Sequence, residues 1–420
     1  MSAALTGSAS ALVSGNSTRG AGPVYTDYTT LDQVLQQPVL KRELFPSPVM
    51  IESMELLRDR DNFLCRIRSR DGAEGLSIGH PFIAKQSYPV FVNRLAPFFV
   101  GKDARDLDQL IYRVSETNVK LQGVPFCVQL AMLEFAILDM LGNMVDKPVG
   151  LLIGDMLIPE VSIYLGHHYS NLRKLEPEKS LELMKRDVLE TKAKAIKLRA
   201  GLGDNLASDI DNAPGRTEKL IRLAREMFCD DMVLMIDGNG SYSVKEAIRI
   251  GKILEEYNYY FYEEPLPWDW YEEQKLVEAA LDIPMAGGEE EFGMHAFRYL
   301  IGNKVFQIVQ PDLFYFGGMI RTMKVARMAK AAGLSITPHI SGGGLGYVYM
   351  LQMVSVCPAT AKYHEFKMFQ TKDANGTMIP VESKAEKFES INGVIKVPSG
   401  SGLGVRVDPD YIKTHRRFRG

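Results

Sequence analysis

The feature that most constrains this chain is a repeat of position. From about residue 158, eight short apolar runs recur: VSIYLG, AIKLRA, MVLMID, YYFYEE, IPMAGGE, FQIVQPD, LSITPH and AKYHE. Several are near-continuously apolar, as strands covered on both faces should be. Amphipathic stretches such as GRTEKLIRLAREMF and SVKEAIRIGKILEEY lie between them. Strands alternating with crossover helices predict an α/β fold, a (β/α)8-type (modified TIM) barrel. An open doubly wound sheet is the structural rival, but no GxGxxG or GxxxxGKS follows the first strands, so it would lack its usual nucleotide site.

The same repeat carries polar groups in phase. Asp237, Glu263, Glu289, Asp312, His339 and Glu365 each close a predicted strand, at spacings of 26, 26, 23, 27 and 26 residues. In a parallel barrel, strand ends converge on one mouth, where barrel active sites lie. One polar residue after a strand is more simply a loop start or a helix cap. Six acidic or His residues in phase predict a shared cavity.

The remaining chain divides by pattern. Residues 1–47 read as an irregular arm, rich at first in Ser, Thr, Gly and Pro. Residues 48–157 read as an α+β domain. Three strands (MIESMELL, FLCRIRS, EGLSIG) joined by Arg58–Asn62 and Arg70–Ala73 turns precede helical patterns at 86–98, 104–118 and 125–144. The barrel is assigned to 158–384, and a loop-rich closing segment with the turn-strand signal SINGVIKVP to 385–420.

Composition excludes several classes. With 49 Lys+Arg against 52 Asp+Glu, the net charge of −3 gives no basic face for nucleic acid. Four scattered cysteines without a CxxC pair indicate neither a disulfide scaffold nor a zinc ribbon. Leu334–Ala361 carries no Lys, Arg, Asp or Glu, which is the length of a membrane span. Pro338, His339 and the run Gly342-Gly343-Gly344 favour a buried strand, loop and helix instead, and no membrane partner is expected. Met1–Thr18 is uncharged but lacks a basic n-region and a strong apolar core, so it is not a complete signal peptide. A cytoplasmic location is expected, with a trimmed leader left open.

The in-phase residues suggest chemistry. Asp237, Glu263 and Glu289 in one cavity would repel each other, and a hard divalent ion with oxygen ligands removes the conflict. Mg2+ is the natural choice, since it leaves positions for substrate oxygens and water. Asp312 beside His339 would orient the imidazole and raise its basicity, a dyad suited to proton transfer. Glu365 completes the ring as a hydrogen-bonding partner for the substrate.

These motifs resemble a known family. IDGNG with Asp237 and Asn239, FYEEP with Glu263, GGEEEFG with Glu289, QPDLFYFGGM with Asp312 and TPHIS with His339 are similar to the mandelate racemase group of the enolase superfamily. The resemblance runs from about residue 48 onward and includes the closing GVIKVPSGSGLGVRV. It implies that Asp237, Glu263 and Glu289 hold one Mg2+ per subunit, that Asp312 and His339 form the dyad, and that Glu365 contacts substrate. It also implies that the N-terminal domain and the closing segment cap the barrel mouth. The family's reaction starts with removal of the proton alpha to a carboxylate, giving a metal-stabilised enediolate.

One departure narrows the choice. The family usually carries Lys-x-Lys on the second strand, and AIKLRAG puts Arg199 where the second Lys would be, with Lys197 before it. Arg holds its proton up to a pKa above about 12 and makes a poor base. Arg199 is expected as a fixed cation near the carboxylate or enediolate, or as a salt bridge that merely holds the barrel. With His339 as the one credible base, inversion at the alpha carbon is disfavoured and dehydration of a sugar acid preferred. A cycloisomerase opening an anhydro-sugar acid, a racemase or epimerase of a 2-hydroxy acid, and a non-catalytic ligand sensor are the alternatives. A homo-oligomer is expected.

Lesser expectations complete the reading. His167 and His168 follow the first barrel strand and are candidates for polyol contact or for a solvent-facing loop. His80 is a candidate for the same mouth, while His295, His364 and His415 read as structural or surface residues. Trp268, Trp270 and Tyr259-Tyr260 read as packing. The tight Arg58–Asn62 turn leaves no material for a lid there. The arm, especially Tyr25–Phe45, and the His80 loop are expected to cover a barrel mouth, their own or a partner's.

Overall fold

The computed structural model describes residues 26–166, 172–341, 345–366, 375, 379–383 and 389–418. All eight expected barrel strands form. Behind the meander β1 (Ile51–Asp59), β2 (Asn62–Ser69) and β3 (Glu74–Ile78) come β4 (Glu160–Leu165), β5 (Ala195–Arg199), β6 (Val233–Asp237), β7 (Tyr262–Glu263), β8 (Met285–Gly287), β9 (Ile308–Val309), β10 (Ser335–Ile336) and β11 (His364–Phe366). Strands β4 to β10 pair in parallel in sequence order, and β11 pairs in parallel with β4. The ring closes between β10 and the approach to β11. There Ile336 N–H donates to Ala359 O, and Ala361 N–H donates to Ile336 O, each at 2.9 Å. The open-sheet rival is therefore excluded, because an open sheet leaves two unpaired edges.

Helices α1 (Thr29–Gln36), α2 (Ala84–Val90), α3 (Ala96–Phe99), α4 (Leu107–Thr117), α5 (Val124–Met144) and α6 (Val149–Ile153) precede the barrel. Its crossovers are α7 (Pro177–Thr191), α8 (Arg216–Phe228), α9 (Val244–Glu256), α10 (Tyr271–Glu278), α11 (Met294–Gly302), α12 (Met319–Ala332) and α13 (Gly346–Ser355). Local chemistry sets their ends. Ser243 accepts the Glu246 N–H at the start of α9, and Gly333, with φ +72°, ends α12 in the left-handed conformation that glycine adopts without strain.

Helix α5 is long and apolar enough to cross a membrane, but here it is buried against the meander. Gly75 on β3 makes the approach feasible, because a Cβ there would lie 2.1 Å from Ala136 O and 2.4 Å from Met140 N. The uncharged stretch 334–361 forms β10, the His339 loop and the buried helix α13. The closing segment returns through β12 (Val381–Ser383), β13 (Val394–Lys396), β14 (Val405–Val407), α14 (Pro409–Thr414) and β15 (Arg416–Arg417). β13 runs antiparallel to β4, and β15 extends the meander by pairing with β1.

From residue 26 the arm is ordered, as expected, but its described residues run along the outer wall of the barrel and line no part of its own mouth, which corrects that half of the expectation. Asp32 on α1 takes a two-pronged ion pair from Arg298 on α11, while Lys324 and Arg327 on α12 donate to the Leu35 and Pro38 carbonyls. Leu31, Val39, Leu40 and Phe45 are buried and hold the arm there. Apolar anchors at these positions favour a packed wall over a mobile cover.

Candidate active site

Strand register assembles the cluster. Arg199 lies opposite Asp237, and Asp237 opposite Glu263, so the three share one rung of the parallel sheet. Glu289 joins them from two residues past the end of β8. Gly288, at φ +104°, turns the chain there, and the Phe306 ring 2.6 Å from a Gly287 Cβ leaves no room for a side chain. Carboxylate oxygens of Asp237, Glu263 and Glu289 lie within 4.8 Å of one another, all buried.

Their electrostatics differ. Burial pushes Glu263 up to about 8, although Lys197 pulls the other way. Burial acts on Asp237 too, but Arg199, then Lys197 and Arg173, hold it below the usual carboxylate range. The Lys197 ammonium is fully buried, donates to Glu263 Oε1 and lies 3.8 Å from Asp237 Oδ2 and 5.4 Å from the centroid of the Tyr164 ring. Gln310 Nε2 donates to the other Glu263 oxygen at 2.9 Å. Three buried carboxylates, one of them reluctant to ionise through burial and then through its acidic neighbours, fit a hard divalent cation such as Mg2+.

Asp312 and His339 pair on neighbouring strand ends. His339 Nδ1 lies 2.8 Å from Asp312 Oδ2, and Asp312 also accepts the N–H groups of Phe314, Tyr315 and Ser341. Burial raises the Asp312 pKa, but the His339 hydrogen bond and charge outweigh it, leaving the carboxylate lowered and ionised. His339 Nε2 faces inward, 3.3 Å from Glu289 Oε2 and 3.5 Å from Glu365 Oε2. Gly166 must be bare for Glu365 to sit there, since a Cβ would lie 2.4 Å from Glu365 Oε1.

Across the cavity stand cations. Arg199 Nη1 donates to Asp237 Oδ2 and to Asn239 Oδ1. Burial would lower the Arg199 pKa, but Asp237 and then Glu289 outweigh it and raise it further. Arg173, in the turn after β4, donates to the same Asn239 oxygen at 2.6 Å and to Ala200 O at 3.1 Å. Asn239 Nδ2 in turn donates to Glu289 Oε1 at 3.2 Å. The cavity is about 410 Å3. Its lining combines the basic and amide groups of Arg173, Arg199, Asn205 and Asn239 with Gly203, Phe82, Tyr315, His339 and Ser341 and the carboxylates of Glu264, Glu289 and Glu290. Burial, then Glu289, pushes Glu290 up to about 7.

The structure thus brings Asp237, Glu263, Glu289, Asp312, His339, Glu365, Lys197, Arg199 and Asn239 into one cluster. His167 and His168 lie outside the described residues. His80 is buried, accepts the Phe82 and Ile83 N–H groups on Nδ1, and so shapes the loop that places Phe82 on the cavity. His364 and His415 are buried and His295 is exposed, as expected. Sequence reasoning missed Arg173, Gln310, Ser341 and Asn205. Gln310 and Ser341 sit two residues from Asp312 and His339, a signal that could have been read. Asn205 lies in the 200–215 loop, whose length alone marks it as functional or covering.

Comparison with known proteins agrees with this geometry. The chain is 26% identical over 362 residues to a D-galactarolactone cycloisomerase of Agrobacterium fabrum, covering 85% of this chain and 92% of the relative. It is 23% identical over 353 residues to an arabinonate dehydratase of Saccharolobus solfataricus, covering 83% and 89%. Among solved structures, a mandelate racemase/muconate lactonizing protein from Paracoccus denitrificans complexed with magnesium superposes with a TM-score of 0.75 at 26% identity. It covers 88% of this chain and 99% of that one. The family described as enolase C-terminal domain-like matches residues 179–411, more than half of the sequence. Barrel, acidic cluster and matched span lead to one assignment: this chain belongs to that family, in the mandelate racemase/muconate lactonizing group of the enolase superfamily.

Proposed function

We propose that this chain is a Mg2+-dependent enzyme that removes the proton alpha to the carboxylate of a sugar acid and expels the β-hydroxyl as water. The observation that carries the reading is the pairing of one proton carrier, His339 backed by Asp312, with a fixed cation, Arg199, across the cavity. A divalent ion held by Asp237, Glu263 and Glu289 would supply Lewis-acid stabilisation of the negative charge that develops on the substrate carboxylate.

The chain's own residues divide the remaining work. Asp312 fixes the Nδ1 side of the imidazole, leaving Nε2 to face the substrate. His339 Nε2 takes the alpha proton while the C–H electron pair moves into a carbon–carbon double bond. The imidazolium then gives that proton to the departing β-hydroxyl, which leaves as water with the C–O pair. The enol left behind rearranges to a 2-keto-3-deoxy acid. Lys197 offsets the Glu263 charge from below, and Glu365 beside His339 offers oxygens to a substrate hydroxyl. Racemisation needs a proton carrier on each face, and Arg199, its pKa raised by Asp237, supplies none.

A second reading is supported by the cycloisomerase relative. There the leaving oxygen is part of a ring and stays attached, and the same histidine serves. A panel of aldonic acids, aldaric acids, lactones and anhydro-acids, scored for 2-keto acids and by NMR, separates the two. Keto-deoxy products from open-chain acids support dehydration, and turnover of cyclic acids alone supports the second reading. A magnesium-loaded enzyme that removes no alpha proton from any of them would sink both.

A further inference from the structure

We infer that Arg173 touches the substrate and forms with Arg199 a two-guanidinium receptor for the carboxylate whose alpha proton is removed. The inference rests on the reading above that the ligand is a carboxylic acid. Arg173 lies on the short 3-10 turn Leu172–Lys174 that follows β4, far in sequence from the in-phase strand ends. Its side chain nevertheless crosses β5, donating to Ala200 O, and meets Arg199 on a single neutral acceptor, Asn239 Oδ1.

Two guanidinium groups in a half-buried wall repel each other unless an anion lies between them. Asp237 is the carboxylate within reach of Arg199, but a cation in the acidic cluster would claim its oxygens. Among the described residues no other carboxylate lies within ion-pair distance of either guanidinium, so an incoming anion fits between them. Donors are available for it: Arg199 Nε is buried with no acceptor among the described residues. Both guanidinium groups line the cavity. A guanidinium is the group best shaped for two-pronged capture of a carboxylate.

The wall is built around Arg173. Gly203 lies against its guanidinium so closely that a Cβ would sit 2.5 Å from Cζ, and the φ of +72° there lies in the left-handed region that favours glycine. Position selects which end of a substrate is read. The Asn239 side chain that both arginines hold also donates to Glu289, so the receptor borders the cluster that would hold the metal. It takes the reacting carboxylate and not the far end of a sugar chain.

The test is calorimetric binding of tartronate, a small hydroxy-dicarboxylate, to the full-length Mg2+-loaded protein. Arg173→Gln is expected to weaken tartronate at least about tenfold while leaving Mg2+ affinity and Tm near wild type. Arg173→Lys, which keeps the charge but not the fork, is expected to fall between. Gly203→Ala, which displaces the guanidinium without changing charge, is expected to weaken tartronate as well. Should Arg173→Gln fail to fold or lose Mg2+, the Arg173→Lys protein decides, since it must still bind more weakly than wild type. Wild-type affinity in the folded variants, or a wild-type protein that binds no tartronate, overturns the inference. If the wild type processes no sugar acid yet binds tartronate in an Arg173-dependent way, the receptor stands and the dehydration reading falls.

Discussion

At the scale of single residues, the proposed reading gives proton transfer to His339 and fixed charge to Arg199. His339→Asn deletes the proton carrier and no carboxylate ligand. It is expected to lower kcat by about 10²–10⁴-fold while calorimetric Mg2+ affinity stays at the wild-type value. Loss of metal binding in that variant would show that His339 serves the cation instead. Arg199→Lys tests the other wall. A lysine can give up its proton where arginine does not, so deuterium exchange at the alpha carbon from the second face, read by NMR in D2O, is the expected gain. A variant that dehydrates without any such exchange would mean that Arg199 is not what enforces one-base chemistry. Asp237, Glu263, Glu289, Asp312, His339 and Glu365 were legible in the sequence because each rides on a strand end. The phase had one visible irregularity, the 23-residue step. Its cause is that β8 and β9 end at Gly287 and Val309, closer together in sequence than β6 and β7, which end at Asp237 and Glu263.

At the scale of elements, packing and burial set the stability of the frame. Gly75→Ala would push β3 away from α5, since the added methyl meets backbone at 2.1 Å. A loss of about 2 kcal/mol or more is expected in urea unfolding, and an unchanged midpoint would mean that the strand shifts freely. His364 on β11 gives the barrel an acid-labile point. Burial pushes its pKa from the ordinary 6.5 down to about 4, so between those values the unfolded chain binds a proton that the folded chain does not. Its stabilising contribution is full above about pH 6.5 and is lost as pH falls toward 4. Comparing pH 7.5 with pH 5, His364→Asn is expected to flatten the pH slope of unfolding free energy by about 2 kcal/mol. An identical slope in the variant contradicts this. The eight strands were legible because buried parallel strands are nearly all apolar, and the meander because its turns carry Asp, Asn and Gly. Arg173 was not, since a turn after a strand has no periodicity to betray it. The 200–215 loop, which brings Gly203 and Asn205 to the cavity, likewise carries no periodic signal.

At the scale of the whole molecule, the arm, the barrel and the acidic cluster make separable contributions. Deleting residues 1–37 removes the α1 contacts with α11 and α12. It is expected to lower Tm while leaving kcat/KM unchanged; a fall in kcat/KM at full folding would return the arm to a catalytic role, in its own mouth or a neighbour's. Mg2+ at about 100 times its Kd is expected to stabilise the wild type by about 2.7 kcal/mol, and Glu263→Gln or Asp237→Asn should abolish that shift. The sheet closure at Ile336 and the register of Arg199, Asp237 and Glu263 on one rung hold the cluster in a closed frame. NMR of a sugar acid turned over in D2O by the Mg2+-loaded wild type tests the proposed one-base elimination. A 2-keto-3-deoxy acid is expected, with recovered substrate that keeps its original configuration at the alpha carbon. Recovered substrate inverted at that carbon and carrying deuterium there would contradict it.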